Sequence, residues 1–163
     1  PHELLKNNRW QSPSGHISWE LIQGDFAQTF PHAHKPHVIF YDPFSLHSSV
    51  ELWRQDLFAQ LFHFCQGQEV QLLNYSASTA VRATLLAAGW SVGPGPATGP
   101  KSSTTVAFNT PQLAQKLCAP LLGDEWLQRW EKSDSKTARG LSTLDAQEFE
   151  ARIRGHVQFR HLV

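Results

Sequence analysis

The stretch HVIFYDPFSLHSSVELW, residues 37–53, decides how the rest of the chain is interpreted. It opens with the continuous apolar run VIFY, which is typical of a central parallel strand buried on both faces. The run ends at Asp42-Pro43, where the proline fixes its own φ and restricts the residue before it. The sequence therefore predicts a central strand that ends in a carboxylate held on a rigid backbone.

Strand and helix patterns alternate on both sides of this stretch. Residues 1–10 carry Leu and Trp at helical spacing, and residues 17–89 alternate between strand and helix patterns, which predicts parallel β-α-β units. Two later strand patterns flank the loop GPGPATG without a helix between them, and this predicts an antiparallel hairpin. Helical patterns follow from Thr110-Pro111 onward. The predicted fold class is α/β, with parallel strands, an antiparallel C-terminal hairpin and a helical tail.

Composition and charge exclude several classes of protein. The chain has 163 residues with 14 Lys and Arg against 14 Asp and Glu, so it lacks the basic excess of a dedicated nucleic-acid binder. It has no apolar run long enough to cross a membrane and no secretory signal pattern. Cys65 and Cys118 lack metal spacing and are expected to be buried, reduced thiols of a cytoplasmic protein.

Polar side chains follow three of the predicted strands. Asp25 follows the first strand, Asp42 the second, and Asn74-Tyr75-Ser76 the third. In open α/β sheets, ligands bind beyond the carboxyl ends of the parallel strands. A lone Asp at such a position is more often a helix cap or a turn former. Three polar strand ends on one rim shift the balance toward a binding site.

Asp42-Pro43-Phe44 offers two kinds of contact to a ligand. The carboxylate of Asp42 and its backbone carbonyl are rigid acceptors, and Phe44 is a flat apolar wall. This combination suits an amino group or a planar base. A carboxylate can orient an ammonium, assist its deprotonation and stabilise the positive charge that reappears as a new N–C bond forms. Asp42 is therefore the predicted catalytic residue.

Four stretches resemble the methyltransferase domain of the MnmC-like tRNA enzymes. They are GDF at 24–26, FYDPFSLHSSVELW at 40–53, LLNYSASTAVRATLLAAGW at 72–90 and GPKSSTTVA at 99–107. The resemblance covers roughly residues 1–108. Enzymes of this family methylate the 5-aminomethyl group of a modified wobble uridine in tRNA. The resemblance implies a Rossmann-like, class I methyltransferase sheet, S-adenosylmethionine as cofactor and tRNA as substrate.

The family's motifs imply roles for individual positions of this chain. The resemblance implies that Gly24, Asp25 and Phe26 hold the adenine of the cofactor, and that Asp42 faces the acceptor amine. The predicted substrate contacts are Pro43, Phe44, Ser45, Tyr75 and Lys101. Methyl transfer from a sulfonium to an amine needs little covalent help, so alignment and electrostatics are expected to supply most of the rate.

The resemblance also predicts that this chain is a fragment. The strand, glycine-rich loop and helix on which such enzymes place the cofactor are missing, since GPGPATGPK at 93–101 opens no helix. Residues 1–109 are expected to be the C-terminal two-thirds of a methyltransferase domain, and residues 110–163 a helical extension. The strand at 17–23 would then lack its neighbours. It is expected to join an upstream segment of the same polypeptide, to re-pair, or to swap between chains of a homo-oligomer, and the chain alone is expected to be inactive.

Two other functions agree with parts of the pattern. An aminopropyltransferase of the polyamine-synthase type shares the fold and an acidic strand end. It needs further acidic residues, whereas Asp42 is followed by apolar and hydroxyl residues. A non-catalytic, methyltransferase-like scaffold that positions RNA agrees with the altered stretch Lys101-Ser102-Ser103 and with the missing basic excess.

Side chains outside these motifs have simpler interpretations. The histidine-rich loop at 32–37 lacks a carboxylate or cysteine to complete a metal shell, so no metal is predicted. Trp126 and Trp130 are interpreted as the apolar face of a packed helix rather than a platform for bases. Arg82 can reach either a phosphate or a neighbouring carboxylate, and the sequence leaves both open.

Overall fold

The computed structural model describes five stretches of the chain, namely residues 2–44, 48–98, 102–134, 136 and 140–162. They fall into two units, residues 1–34 and residues 35–163. Within the described stretches, every helix is too short or too polar to span a bilayer.

The unit of residues 1–34 contains two short helices and a β-hairpin. Its elements are α1 (His2–Asn7), β1 (Arg9–Gln11), β2 (Ser18–Glu20) and α2 (Phe26–Thr29). β1 and β2 pair antiparallel, with Trp10 opposite Trp19. The helix predicted over residues 1–10 stops earlier because Asn8 adopts a φ of 56°, a left-handed conformation that Asn tolerates and that ends a helix.

The strand predicted at 17–23 does not join the main sheet. Its residues Ser18–Glu20 form β2 and pair with β1 instead. Of the three expected solutions for this strand, the structure shows re-pairing within the chain. The prediction of parallel units starting at residue 17 is therefore wrong for this strand, because a short-range hairpin satisfies its backbone groups.

The unit of residues 35–163 is built around a four-stranded sheet of order β3-β4-β6-β5. The strands are β3 (Val38–Phe40), β4 (Gln71–Asn74), β5 (Ser91–Gly95) and β6 (Thr104–Phe108). β3 and β4 are parallel, whereas β6 runs antiparallel to both β4 and β5. The predicted α/β class and the predicted antiparallel hairpin are confirmed.

Helices connect and cover these strands. They are α3 (Gln55–Phe64), α4 (Thr79–Ala87), α5 (Pro111–Lys116), α6 (Asp124–Glu131) and α7 (Ala146–Arg154). Short 3-10 segments span Val50–Trp53 and Val157–Leu162, and a third, Phe30–His32, belongs to the unit of residues 1–34. Residue Arg54 is extended and separates the first of these segments from α3, so the helix predicted from residue 50 begins later.

The core of this unit is formed by large aromatic and aliphatic side chains. Its fully buried members include Trp53, Trp90, Trp130, Phe58, Phe108, Phe149 and Leu72. The indole N–H of Trp90 donates to the backbone oxygen of Phe58 at 3.0 Å, so the polar atom of this buried ring is satisfied. Burial of such rings supplies most of the free energy that holds helices against a sheet.

β3 lies at one edge of the sheet. Its only partner among the described strands is β4. Val38 and Phe40 are 46% and 79% exposed, although the run VIFY predicted a central strand covered on both faces. That prediction is wrong for this structure, because β3 is an edge strand among the described residues and these two side chains remain largely exposed.

The opposite edge, at β5, is closed by the C-terminal part of the chain. Gln158 donates its side-chain N–H to the oxygens of Val92 and Leu122 at 3.1 and 2.8 Å, and its Oε1 accepts from the N–H of Val92 at 2.8 Å. The N–H of Leu122 also donates to the oxygen of Val92 at 2.8 Å. The backbone groups that a neighbouring strand would pair are thus satisfied by the helical tail.

The two cysteines are both free but differ in exposure. Cys65 is buried and Cys118 is exposed, so the prediction that both are buried is wrong for Cys118. Cys118 follows α5 at a φ of 51°, which turns the chain away from the helix and leaves the thiol at the surface. Burial raises the pKa of the Cys65 thiol to about 11.

Candidate functional site

Asn74 ties the carboxyl ends of β3 and β4 together. Its Nδ2 donates to the backbone oxygen of Tyr41 at 2.8 Å, and its Oδ1 accepts from the N–H of Ser76 at 2.7 Å. Because Asn74 is buried, both bonds form away from water and are costly to break. One side chain therefore fixes the segments that follow both parallel strands.

Two aromatic side chains hold the turn after β3. The hydroxyl of Tyr75 donates to the oxygen of Pro43 at 3.2 Å, and the indole N–H of Trp53 donates to the oxygen of Phe44 at 3.1 Å. The hydroxyl of Tyr41 donates to the oxygen of Leu52. These bonds give a physical reason for the Glu-Leu-Trp part of the motif, since its Trp restrains the turn that carries Asp42.

The carboxylate of Asp42 stands apart from this network. Asp42 is exposed, and no residue that the structure describes donates a hydrogen bond to its carboxylate. Burial raises the pKa of Tyr75, and the charge of the nearby Asp42 raises it further, which places the carboxylate close to that hydroxyl. A charged acceptor on a clamped backbone, without a partner of its own, is arranged to receive a cation or an N–H donor.

A shallow pocket of about 300 Å³ opens beside Asp42. Its lining consists of Phe40, Tyr41, Asp42, Leu73, Asn74, Tyr75, Pro96, Thr98 and Thr104. Most of this wall is apolar, with Asp42 as its charged group. Such a wall suits a flat, uncharged ring that carries an amine.

The predicted substrate residues are only partly brought together here. Asp42 and Tyr75 both line the pocket. Pro43 accepts the Tyr75 hydrogen bond, whereas Phe44 is 79% exposed and does not line the pocket. Ser45 and Lys101 lie outside the described residues.

Phe40 is a pocket residue that the sequence prediction left out, and Asn74 was placed on the predicted rim without a role of its own. Phe40 was assigned to a buried strand, and the sequence pattern contains no sign that its face is open. Asn74 had a usable signal, because an Asn that directly ends an apolar strand is a frequent former of turns. Its bond to Tyr41 spans 33 positions and is not visible in the local sequence.

The predicted adenine-binding residues lie in the other unit, where they form the start of α2. Oδ1 of Asp25 accepts from the N–H of Gln28 at 3.3 Å and caps the helix. Gly24 has a φ of 144°, and a Cβ at this position would lie 2.8 Å from Cγ2 of Thr29, so a glycine is required. Phe26 stacks on Phe30 with ring centroids 5.2 Å apart.

These residues fit one end of S-adenosylmethionine. Oδ2 of Asp25 receives no hydrogen bond from the described residues and can accept from an adenine amino group, and Phe26 offers a ring beside it. The described residues contain no glycine-rich loop that opens a helix, which is the usual cradle for the rest of such a ligand. The fit is therefore limited to the adenine.

Arg82 makes no ion pair with any carboxylate of the described residues. Of the two partners that the sequence allowed, a neighbouring carboxylate is therefore wrong for this part of the chain. Its Nη2 donates to the oxygen of Thr104 at 2.7 Å and to Oγ of Ser103 at 3.2 Å, and its Nε donates to Oγ1 of Thr105 at 3.0 Å. These bonds connect the Val-Arg part of the motif to the Ser-Thr-Thr part.

Two further interpretations of the sequence can be compared with the structure. Trp126 and Trp130 are buried and stack with ring centroids 6.3 Å apart, so their assignment to the apolar face of a helix is confirmed. In the described residues, no three His, Cys, Asp or Glu side chains come together as metal ligands.

The sequence profile of a family described as S-adenosyl-L-methionine-dependent methyltransferase matches residues 1–110. The chain belongs to this family. The prediction that the chain belongs to a family of S-adenosylmethionine-dependent methyltransferases is thereby confirmed. No curated protein matches the sequence.

A solved structure supports the fold assignment. The chain of MnmC2 from Aquifex aeolicus is similar with a TM-score of 0.60 and 24% sequence identity. The similarity covers 94% of this chain but 48% of the MnmC2 chain, so the chain spans about half the length of its structural relative. The fold agrees with the MnmC-like resemblance of the motifs.

Proposed function

We propose that this methyltransferase transfers a methyl group to the aminomethyl nitrogen of a tRNA wobble uridine. The observation that supports the proposal best is the exposed carboxylate of Asp42, which receives no hydrogen bond from the described residues. Its backbone is restrained by Asn74, Tyr75 and Trp53. The MnmC-like motifs and the apolar pocket beside Asp42 support the same substrate. We also propose that the reaction takes place in the cytoplasm.

Asp42 has two tasks in this proposal. An alkylamine is mostly protonated at neutral pH, and only its neutral form attacks carbon. The carboxylate of Asp42 receives a hydrogen bond from the ammonium, accepts its proton and passes it to water, because the side chain is exposed. The same charge stabilises the positive nitrogen that forms on methylation.

The clamp around Asp42 supplies alignment. S-adenosylmethionine supplies a methyl group on a sulfonium when it is bound. The amine must then approach that carbon in line, and a displacement of about 1 Å can cost about 100-fold in rate. The bonds of Asn74, Tyr75 and Trp53 restrain the turn at residues 42–44.

The substitution Asp42→Asn tests the proposed role. It keeps the size of the side chain and removes the charge, so methyl transfer is expected to fall roughly 100-fold or more. Asp134→Asn is the matched control, because Asp134 is also exposed and receives no hydrogen bond from the described residues. Activity is measured with the upstream residues present, and folding by circular dichroism. Unchanged activity in Asp42→Asn would exclude Asp42 as the catalytic residue and favour the scaffold function.

We further propose that Gly24, Asp25 and Phe26 hold the adenine of the cofactor. Asp25→Asn retains a good helix cap, so the fold of residues 1–34 should be unchanged. It removes the charge of the carboxylate, and the affinity for S-adenosylmethionine is expected to fall in a calorimetric titration of the upstream-extended chain. Equal affinities of the two proteins would assign Asp25 to capping alone.

Finally, we propose that the open edge of β3 receives a strand from an upstream segment of the same polypeptide. The exposed Val38 and Phe40 support this, because an uncovered apolar edge strand favours pairing. In this view residues 1–109 are part of one methyltransferase domain, and Ser45 and Lys101 remain predicted substrate contacts.

The test of this assembly compares two chains in a titration with S-adenosylmethionine. The chain extended upstream is expected to bind, and residues 1–163 alone are expected not to bind. A dimer of residues 1–163 in sedimentation would favour strand exchange between copies instead. Binding by residues 1–163 alone would overturn the split cofactor site.

A further inference from the structure

Arg82 and Arg129 share a cavity whose described lining residues include no carboxylate. Its volume is about 210 Å³, and its lining residues are Thr79, Arg82, Trp126, Arg129, Trp130 and Ser133. A water molecule occupies about 30 Å³ of liquid volume. The cavity therefore has room for an anion of the size of phosphate together with a few waters.

Arg82 offers this cavity a hydrogen-bonding edge. Its Nε and Nη2 are engaged by the β6 region, but its Nη1 donates to no residue that the structure describes. No fully buried side-chain nitrogen or oxygen among the described residues lacks a partner, so Nη1 is not sealed in the protein. Arg82 is nevertheless only 9% exposed, and its charge is largely removed from water.

Arg82 and Arg129 also differ from most other arginines in their charge environment. Four described arginines pair with carboxylates, namely Arg9, Arg54, Arg152 and Arg154. Arg82, Arg129 and Arg160 have no such partner among the described residues. Burial lowers the pKa of Arg82, and the like charge of Arg129 lowers it further, so the two cations repel each other. An anion between them would relieve this repulsion.

The helix that carries Arg82 adds to the positive electrostatic potential in the cavity. Thr79, the first residue of α4, lines the cavity, and the first turn of this helix contains no acidic residue. Ser78 occupies the cap position, but its side chain accepts no capping hydrogen bond. The N-terminal end of α4 therefore contributes a positive partial charge to a cavity whose described lining residues include no carboxylate.

We propose that this cavity binds a backbone phosphate of the RNA substrate, with Nη1 of Arg82 and the guanidinium of Arg129 as its ligands. The identity of the phosphate rests on the proposed function. The chain has equal numbers of basic and acidic residues, so its net charge supplies no general attraction for RNA. Its phosphate contacts must then come from single arginines that carboxylates do not neutralise.

Arg129→Gln and Arg160→Gln form a matched pair of variants. Both arginines are exposed, lack a carboxylate partner among the described residues and donate Nε to a backbone oxygen, of Glu125 at 3.2 Å and of Gly155 at 3.0 Å. The two variants lose the same charge, but only Arg129 lines the cavity. Arg82→Lys is the second cavity variant, and its folding is checked by circular dichroism because Arg82 is buried.

The first arm uses inorganic phosphate. Titration of phosphate into the 163-residue chain is followed by the NMR signals of the arginine Nε–H groups. The signals of Arg82 and Arg129 are expected to shift together and that of Arg160 to stay in place. Arg129→Gln should weaken phosphate binding roughly tenfold, as expected for a charged hydrogen bond. An equal response of all three arginines would overturn the site.

The second arm uses an anticodon stem-loop of tRNA over a series of salt concentrations. Arg129→Gln is expected to reduce the slope of log K against log salt by roughly 0.7 to 0.9, while Arg129→Lys and Arg160→Gln retain it. An unchanged slope in Arg129→Gln, with phosphate still bound, would overturn the assignment to RNA and leave a small phosphate ligand. Because neither arm measures methyl transfer, a failure of the proposed function is detected separately.

Discussion

The two edges of the four-stranded sheet are treated in opposite ways. At β5 the backbone of Val92 is satisfied by Gln158 and Leu122, so the edge is closed by the chain itself. At β3 no described residue covers Val38 and Phe40, although VIF is the more apolar of the two strand sequences. Apolar character therefore does not tell which strand is covered. It indicates which strand would gain most from a cover, and among the described residues β3 is the edge strand of this sheet with exposed apolar side chains.

The largest effect is expected from Gly93→Ser at the closed edge. A Cβ at Gly93 would collide with the backbone oxygen of Pro120, so the segment after α5 must move away from β5. We expect a loss of about 3 kcal/mol in the free energy of unfolding, measured by urea denaturation. Gly123→Ser is the control, because its Cβ would meet nothing within 4 Å and Ser is a favoured cap for α6. Equal stabilities of the two variants would show that the edge is not closed at this point.

A smaller effect is expected from Gln158→Ala, which removes the side chain that imitates a strand. The N–H of Val92 loses its acceptor, and two backbone oxygens lose a donor. The expected loss is about 2 kcal/mol in the same measurement. Gln147→Ala, an exposed position on α7, should change stability little. If the two glutamines behave alike, the tail does not contribute to the β5 edge.

At the open edge, Phe40→Lys is expected to change the stability of residues 1–163 by less than about 0.5 kcal/mol, because the ring is 79% exposed. A lysine there should instead suppress pairing with another strand. Sedimentation measures self-association, and a titration with S-adenosylmethionine measures assembly of the upstream-extended chain. A large loss of stability in residues 1–163 would contradict the open edge.

The smallest expected effect concerns the rim that follows this edge. Asp42→Asn removes the charge that helps to raise the pKa of Tyr75, so this pKa should fall toward its ordinary value. The chain has two tyrosines, Tyr41 and Tyr75, and burial raises the pKa of Tyr41 strongly. Ultraviolet titration should therefore show Tyr75 ionising first, at lower pH in the variant. An unchanged titration would place Asp42 away from the hydroxyl.

The local part of this fold could be predicted from the sequence. Apolar runs and helical spacing identify β3, β4, α3 and α4, and the loop at 93–101 identifies the hairpin of β5 and β6. Strand neighbours could not be predicted, because pairing depends on contacts between distant segments. The same period-two pattern allows β2 to join either a sheet or a local hairpin.

The site divides in the same way. Asp42 could be proposed because a carboxylate and a proline after a strand are adjacent in sequence. The hydrogen bonds that restrain the segment around Asp42 could not be predicted. Asn74 and Tyr75 bind Tyr41 and Pro43, which lie about thirty positions away in the sequence. Arg82 illustrates a third case, in which the residue was visible and its partners were not. The sequence allowed either a phosphate or a carboxylate as the partner of Arg82. In the structure Arg82 donates to neutral groups and lines a cavity.

Asp42 lies directly after an edge strand. The proposed pairing of another strand with β3 would therefore link activity to the occupancy of that edge. A strand that adds to β3, as proposed, binds next to the segment that presents the carboxylate, so any residue that it brings to the site is present only while it is bound. The fraction of active molecules would then follow a binding curve for the added strand. The variable of this curve is the concentration of a free strand, or the effective local concentration of a tethered one. A tethered strand saturates this curve, whereas the same strand supplied as a separate peptide makes the reaction titratable.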